Sequence, residues 1–170
     1  MGIDESAEPH IRDMQNSDFD TVLQMNTASI PAVSALTPAE LRELVAMTAY
    51  ARVIECDGAV AGFLLGFVAG ADYASLNYQW FCARYEAFFY VDRIVIGEAW
   101  RGQGLGAALY ADVEAFAREQ GLSPVTCEVN LRPHNTESLA FHGAQGFEQV
   151  GTQDTEGGSK RVSLMARAIV

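Results

Sequence analysis

The fold of this chain is decided by the stretch Phe88–Gly106, FFYVDRIVIGEAWRGQGLG. In its first nine residues the odd-numbered and the even-numbered positions are both apolar, except for Asp92 and Arg93. Because these two sets face opposite sides of a sheet, this pattern is typical of a central strand covered on both faces. A glycine-rich loop follows, and the residues after it repeat apolar side chains at helical spacing as far as Gly121. We therefore predict a buried strand, a glycine loop and an amphipathic helix.

The glycine loop is suited to bind a phosphate group. The N–H groups at the start of a helix have no partners within the helix, and the helix dipole attracts anions there. Gly102, Gly104 and Gly106 would let a ligand approach the backbone closely, and Arg101 adds a positive charge just before the turn. A tight turn between strand and helix, without any ligand, is the simpler interpretation of the same residues.

The loop also fits a different class of site. Gly102-x-Gly104-x-x-Ala107 satisfies the dinucleotide fingerprint, and Glu128 follows about twenty residues later. Against this interpretation, five residues separate the strand from the loop, and no second mononucleotide-binding half follows. A P-loop is excluded because the chain has no Gly-Lys-Ser/Thr.

The remaining elements are predicted from hydrophobic periodicity and turn residues. Further strands are expected at residues 10–14, 51–56, 59–68, 125–131, 147–154 and 159–168, and further helices are expected to begin near Ser17, Thr37 and Asn135. The strand 88–96, its helix and the strand 125–131 form a right-handed parallel unit. Hairpins are expected for the strands 51–56 and 59–68 and for the strands 147–154 and 159–168. We predict a flexible N-terminus, residues 1–9, and a single domain over residues 10–170.

Composition limits the classes of function. The 170 residues are 49% apolar, enough for one core without metals or disulfides, and no apolar run is long enough to span a membrane. The net charge of -11 argues against nucleic acid or anionic lipid as partners and weakly favours a cationic one. Cys56, Cys82 and Cys127 form no CxxC pair, so we expect no metal site and a reducing, cytoplasmic location.

The loop and a motif downstream of it together resemble the GNAT N-acetyltransferase superfamily. Arg101, Gly104 and Gly106 match its signature Q/R-x-x-G-x-G/A after the fourth strand. A second motif of that family is matched by Asn135, Ser138, Gly146 and Phe147. The resemblance covers nearly the whole chain and implies an α/β (α+β) fold: a mixed, mostly antiparallel central sheet of about seven strands, with strands four and five parallel and splayed, flanked by about four helices.

The resemblance also implies an activity and a cofactor. A primary amine, on a small molecule or a protein N-terminus, would attack the thioester of acetyl-CoA directly, and related enzymes are often homodimers. The residues expected to bind the cofactor are Ile94, Val95 and Ile96 on the strand edge, Arg101, Gly102, Gln103, Gly104, Leu105 and Gly106 in the loop, and Asn135, Ser138 and Phe141 downstream.

Asp92 is the candidate general base. It shares strand parity with Ile94 and Ile96, and a carboxylate in an apolar strand should have a raised pKa that suits a base near neutrality. The alternative is a structural Asp92 that is satisfied by Arg93, Arg84 or backbone donors. Pairing with Arg93 is the less expected version, because neighbours in a strand point to opposite faces.

His142 is the candidate general acid. The superfamily usually has at this position a Tyr that protonates the leaving thiolate, and an imidazolium could donate the same proton. The alternative is a histidine that only packs against the cofactor. Tyr110 and Tyr90 are further candidates for the acid.

Candidate acceptor-binding residues come from two places. Tyr78 and Trp80 belong to the segment 70–87, which lacks periodicity but is rich in aromatic residues, and they either roof the acceptor pocket or pack over the sheet. If Arg84 of the same segment faces the pocket, it would bind an acceptor carboxylate. Glu128 and Asn130 end the fifth strand near the expected gap and either orient the acceptor or are structural.

Two other functions remain open at this stage. A non-catalytic acyl-CoA sensor would keep the loop but lack the chemistry, and the absence of Tyr at position 142 is its main support. A nicotinamide-dependent oxidoreductase is the weaker alternative, since it rests on the dinucleotide fingerprint alone.

Overall fold

Seven strands form one sheet in the order β1-β2-β3-β4-β5-β7-β6. The computed structural model describes residues 8–170, so most of the predicted flexible N-terminus lies outside the described residues. The strands are β1 (His10–Asp13), β2 (Tyr50–Cys56), β3 (Ala59–Val68), β4 (Phe89–Ile96), β5 (Val125–Arg132), β6 (Glu148–Thr155) and β7 (Lys160–Arg167). Among the strands of residues 8–170, only the pair β4 and β5 is parallel, as the sequence predicts.

In the described part of the chain, five α-helices flank the sheet: α1 (Phe19–Ala28), α2 (Pro38–Met47), α3 (Leu76–Cys82), α4 (Leu105–Gln120) and α5 (Thr136–Ala144). The predicted fold class is confirmed, with one helix more than the four expected. The additional helix, α3, lies in the segment for which no periodicity was found. Seven residues are only about two turns, too few to display a helical repeat, although Ser75 caps the helix by accepting from the Tyr78 N–H at 3.3 Å. No helix between residues 8 and 170 is long and apolar enough to cross a membrane.

The parallel strands separate almost at once. The β4–β5 ladder consists of two residue pairs, Phe89 with Val125 and Tyr90 with Thr126. Beyond these pairs the strands diverge, while β4 stays paired with β3 and β5 with β7 on their outer sides. The sheet therefore contains a gap in its middle, and the edge of β4 that faces the gap has no strand partner.

The two faces of the sheet carry separate apolar cores. Helix α4 contributes Leu109 and Val113 to one core, against residues of β2, β4 and β5. Helices α1, α2 and α3 contribute Val22, Leu41 and Phe81 to the other core. This two-sided burial explains the near-continuous apolar pattern of β4.

Gly66 on β3 lets an aromatic ring of the α4-side core pack directly against the backbone of β3. The fully buried ring of Phe89 lies against it, and a Cβ added at Gly66 would be 2.2 Å from Cζ of that ring. We expect Gly66→Ala to lower the free energy of unfolding by about 1–3 kcal/mol, because the ring cannot move away in a packed core. Urea denaturation would measure the change.

Gly143→Ala is the matched control for this substitution. Gly143 lies within α5, and an added Cβ would meet nothing within 4 Å. This variant should gain about 0.5–1 kcal/mol, because alanine loses less backbone entropy than glycine in a helix. Equal stabilities of the two variants would contradict the proposed packing of Phe89.

Candidate active site

The gap between β4 and β5 opens into a cavity of about 1130 Å³. Its walls are the free edge of β4, the middle of β5, the α1–α2 connection (residues 29–37), the glycine loop and the first turns of α4 and α5. The predicted cofactor residues that line it are Ile94, Val95, Ile96, Arg101, Gly102, Gly104, Leu105, Gly106, Asn135, Ser138 and Phe141. Gln103 is exposed and lies outside the lining, unlike the rest of the predicted set.

The glycine loop leaves the start of α4 uncapped. Gly102 and Gly104 have φ values of 77° and 79°, a conformation that favours glycine, and Gly104 provides no side chain to cap the helix. The first N–H groups of this 16-residue helix therefore lack side-chain acceptors. Such a helix start, beside the Arg101 guanidinium, fits an anionic group such as a pyrophosphate.

The first turn of α5 completes this end of the cavity. Asn135 caps the helix, since its side-chain oxygen accepts from the Ser138 N–H at 3.2 Å. The ring of Phe141 lies against Gly106 of α4, where an added Cβ would be 2.8 Å from Cζ. The two sequence motifs that carry the resemblance therefore meet in one wall.

Asp92 has a different environment from the predicted one. Arg93 donates from Nε to Oδ2 of Asp92 at 2.8 Å, and the Tyr73 hydroxyl donates to the other carboxylate oxygen. Arg93 is thus a partner of Asp92, although the alternation of side chains along a strand made this the less expected pairing. A β-bulge is the cause: Leu65 pairs with Arg93 but Gly66 pairs with Val91, so the register skips Asp92 and the alternation of side chains is broken there.

Arg93 is a buried residue that joins β4 to α1 and to the α1–α2 connection, a role that the sequence did not indicate. Its Nη1 donates to the Asn26 side chain at 2.8 Å and to the Ser34 carbonyl at 3.1 Å, in addition to the bond to Asp92. Asn130 supports the same connection from the other strand by donating to the Pro31 carbonyl at 2.9 Å. Together they hold the α1–α2 connection across the gap.

Glu128 is the carboxylate that is best suited to exchange a proton. Burial, followed by the negative charge of Asp92, raises the pKa of Glu128 to about 8, although hydrogen bonds from Tyr90 and Asn77 lower it. The Tyr90 hydroxyl lies 2.8 and 2.7 Å from the two carboxylate oxygens. Burial and the neighbouring Glu128 in turn raise the pKa of Tyr90 well above its usual value, so this hydroxyl stays a neutral donor.

His142 is buried, and both of its ring nitrogens have partners. Nδ1 lies 2.8 Å from the Ser138 carbonyl oxygen, which can only accept, so the ring proton is on Nδ1. Nε2 lies 2.7 Å from the Tyr110 hydroxyl and accepts from it. Burial lowers the pKa of His142, and the hydrogen bond to the Ser138 carbonyl, which raises it, offsets only part of this effect. The expectation of an imidazolium acid is therefore not supported, because the ring is neutral near pH 7.

The two tyrosines considered as substitute acids lie behind the cavity wall. Tyr110 is 1% exposed and Tyr90 is 0% exposed, and neither contributes to the lining. Their hydroxyls face His142 and Glu128, respectively. Each tyrosine thus supports a residue of the wall instead of reaching the cavity itself.

Three predicted acceptor residues do not reach the cavity. Tyr78 is buried, and its hydroxyl donates to the Val68 carbonyl at 2.5 Å. The Arg84 guanidinium lies 3.5 Å from the centre of the Trp80 ring, and neither residue lines the cavity. The segment 70–87 does contribute to the wall, but through Tyr73, Ser75, Leu76 and Asn77. The argument for an acceptor carboxylate bound by Arg84 is therefore lost.

Comparison with known proteins assigns the sequence to a family. The family model described as the acetyltransferase (GNAT) family matches residues 13–147. This match decides between the two interpretations of the glycine loop in favour of the resemblance. No curated protein sequence matches the chain.

Several solved structures share the fold of this chain, among them Ard1, a ribosomal-protein-S18-alanine N-acetyltransferase and Naa50. Ard1 from Thermoplasma volcanium has a TM-score of 0.79 and 20% identity over 96% of this chain and 99% of that one. The ribosomal-protein-S18-alanine N-acetyltransferase from Escherichia coli has a TM-score of 0.71 and 15% identity over 95% and 94%. Arabidopsis thaliana Naa50, in complex with the bisubstrate analogue CoA-Ac-MVNAL, has a TM-score of 0.71 and 13% identity over 95% and 99%. At these identities the likeness establishes the fold alone.

The raised pKa of Glu128 predicts a pH-dependent stability. A group whose pKa is higher in the folded state stabilises the fold at pH values below its unfolded pKa, about 4.3, and this contribution is lost as the pH rises through about 8. Glu128→Gln should therefore become more stable than the wild type as the pH rises, with a difference that levels off above pH 8. Denaturant titrations between pH 5 and 9 would measure it.

Glu119→Gln, on the exposed face of α4, controls for the loss of one negative charge. It should change stability by less than about 0.5 kcal/mol, as surface substitutions usually do. A constant difference between Glu128→Gln and the wild type across this pH range would contradict the buried, charge-coupled environment of Glu128.

Proposed function

The chain belongs to the acetyltransferase (GNAT) family, and on that basis we propose that it is an acetyl-CoA-dependent N-acetyltransferase that acts on a primary amine. The observation that carries the proposal is one continuous cavity, with the uncapped start of α4 at one part of its wall and the Glu128 carboxylate at another. An anion site for the cofactor and a proton acceptor for the amine are two of the requirements for this reaction, which also breaks the C–S bond and releases a CoA thiolate that must be protonated.

The residues present fit the cofactor. The backbone amides at the start of α4, with Arg101, would hold the pyrophosphate, and the free backbone edge of β4 from Ile94 to Ile96 would pair with the amides of the pantetheine arm. When bound, acetyl-CoA supplies a thioester that an amine can attack. Phe141 and Ser138 would flank it from α5.

Glu128 is the general base of the proposed reaction. An amine attacks only in its neutral form, so the acceptor ammonium must first lose a proton. A carboxyl group with a pKa of about 8 is basic enough to accept this proton once it is ionised, as it mostly is above pH 8, whereas Asp92 is already engaged by Arg93 and Tyr73. Asp92 instead contributes the negative charge that keeps the pKa of Glu128 high. His142, neutral and bonded on both sides, holds α5 against α4.

The cavity favours an amine that is attached to an apolar group. Ile30 and Leu76 are 44% and 57% exposed, and both line the cavity, while the Arg93 guanidinium is already engaged. A small apolar amine and a protein N-terminus both fit this description. The bisubstrate analogue in the similar Naa50 structure includes the peptide MVNAL, so peptides belong in the test panel.

An acyl-CoA sensor is the second candidate. The observation in its favour is His142, which replaces the family's usual Tyr and has no free nitrogen to donate a proton. A sensor would bind acetyl-CoA without releasing CoA when amines are added.

The proposal predicts CoA release from acetyl-CoA in the presence of apolar amines or N-terminal peptides, measured with a thiol reagent. kcat/KM should rise with pH and level off above about 8, because the base must be unprotonated. Glu128→Gln should lower kcat about 100-fold or more, the usual contribution of a general base. Its affinity for acetyl-CoA, measured by calorimetry, should stay within about twofold, since the anion site is untouched.

Three results would count against parts of the proposal. Binding without CoA release for every amine would favour the sensor. No binding of acetyl-CoA would refute both functions. A preference for free amino acids would refute the apolar-amine assignment and point to Lys160, which also lines the cavity, as a partner for a carboxylate.

A further inference from the structure

Asn130 lies on β5 two residues after Glu128, on the same face of the strand. The pairing of β5 with β7 is regular up to Asn130 and its bulge comes afterwards, so side chains alternate without interruption as far as this residue. Cys127 and Val129 pack in the α4-side core, whereas Glu128 contacts Tyr90 of the opposite core. Glu128 and Asn130 therefore face the same side of the cavity, about 7 Å apart along the strand.

The orientation of the Asn130 side-chain amide is fixed by its partner. Nδ2 donates to the Pro31 carbonyl at 2.9 Å, and because a carbonyl oxygen only accepts, the NH2 group must lie on that side. Oδ1 then points the other way. The backbone is held as well, since the Asn135 N–H donates to the Asn130 carbonyl at 3.1 Å.

Oδ1 of Asn130 is open to the cavity. No N–H or O–H group of residues 8–170 donates to it, and these residues contain no polar side-chain atom that is both buried and without a partner. The oxygen must therefore be accessible, although the residue as a whole is only 5% exposed. Because Asn130 lines the cavity, its oxygen faces the space in which an acceptor would lie. A nearly buried amide thus presents a neutral hydrogen-bond acceptor beside a carboxylate.

We propose that Oδ1 of Asn130 binds an N–H of the acceptor amine and makes the site selective for primary over secondary amines. This proposal rests on the proposed function, in which Glu128 takes a proton from the same amine. A nitrogen between the two side chains donates one N–H to Glu128 and another to Asn130, which leaves its lone pair free to attack.

The proton count of the reaction explains the selectivity. As the nitrogen bonds to the acetyl carbon, the carbon–sulfur bond breaks and the sulfur leaves with its electron pair. Of the three N–H protons of a primary ammonium, one passes to Glu128 and is released, one ends on the CoA thiol, and one stays on the amide nitrogen. Asn130 can hold this last proton throughout. A secondary ammonium has two N–H protons and loses both, so no donor remains for Asn130.

The test compares phenethylamine and the peptide MVNAL with the N-methyl form of each, in the wild type and in Asn130→Leu. Leucine is branched like asparagine but has no accepting oxygen. The ratio of kcat/KM for the primary amine to that for its N-methyl form should fall about tenfold in the variant, as expected for the loss of one hydrogen bond. Differences in amine pKa are common to both proteins and cancel in the comparison.

Two further variants separate amine binding from the support of the α1–α2 connection. Asn130→Asp keeps an accepting oxygen and loses the donor to Pro31, so its ratio should stay within about twofold of the wild type even if both values fall. Asn26→Asp is the matched control, because it removes the bond from Nδ2 to the Ser34 carbonyl and loosens the same connection. Asn26 is 0% exposed and lies outside the cavity lining, so the ratio of this variant should equal that of the wild type.

Binding of the products gives a second readout that does not need turnover. N-acetylphenethylamine has one N–H, and its N-methyl form has none. Calorimetry on the CoA-saturated wild type should show tighter binding of the first amide, and Asn130→Leu should reduce this preference about tenfold.

Failure of this proposal and failure of the proposed function are distinguishable. The role assigned to Asn130 is overturned if the wild type shows neither preference, if Asn130→Leu leaves both preferences unchanged, or if Asn26→Asp lowers them equally. If the preference between the two amides depends on Asn130 but no amine releases CoA, the binding role of Asn130 stands and the N-acetyltransferase function is refuted.

Discussion

The early end of the β4–β5 ladder is the constraint on which the site depends. After two residue pairs the strands diverge, so the middle of the sheet contains unpaired backbone and an open gap. Both sides of the gap must be held apart by something other than strand pairing. Outer ladders with β3 and β7 fix the strands, and Arg93 and Asn130 tie the α1–α2 connection across the opening. The cavity is thus a property of the sheet, and its polar groups come from β5 as well as from the flanking helices and loops.

Local patterns in the sequence were enough to predict the elements around the gap. The apolar run at 88–96, the glycines and the helical repeat after them correspond to β4, the loop and α4. Helix α3 was missed because it is too short to show a period, and with it Tyr73 and Asn77 were missed as cavity residues. Roles that depend only on neighbours in sequence could be predicted. Roles that depend on the packing of distant segments could not.

The two carboxylates illustrate this difference. Asp92 and Glu128 both lie on central strands, and the sequence favoured Asp92 as the base. A bulge in β4, visible only in its register with β3, turns Asp92 towards Arg93. Burial and the nearby negative charge of Asp92 act on Glu128 instead, so it holds its proton more tightly. In the proposed function, the choice of Glu128 over Asp92 as the base therefore follows from strand register and from the position of one guanidinium.

The free edge of β4 also bears on how the protein avoids self-association. Ile94, Val95 and Ile96 form an apolar, β-branched edge with unpaired backbone, and on the rim of a sheet such an edge would recruit a strand from another molecule. Here it lies inside a cleft that is walled by β5 and by the α1–α2 connection. An edge inside a cleft is less accessible to a strand of a second folded chain than an edge on the rim of a sheet. The splayed sheet therefore keeps unpaired backbone donors and acceptors available to a ligand, while the walls of the cleft shield them from strands of other molecules.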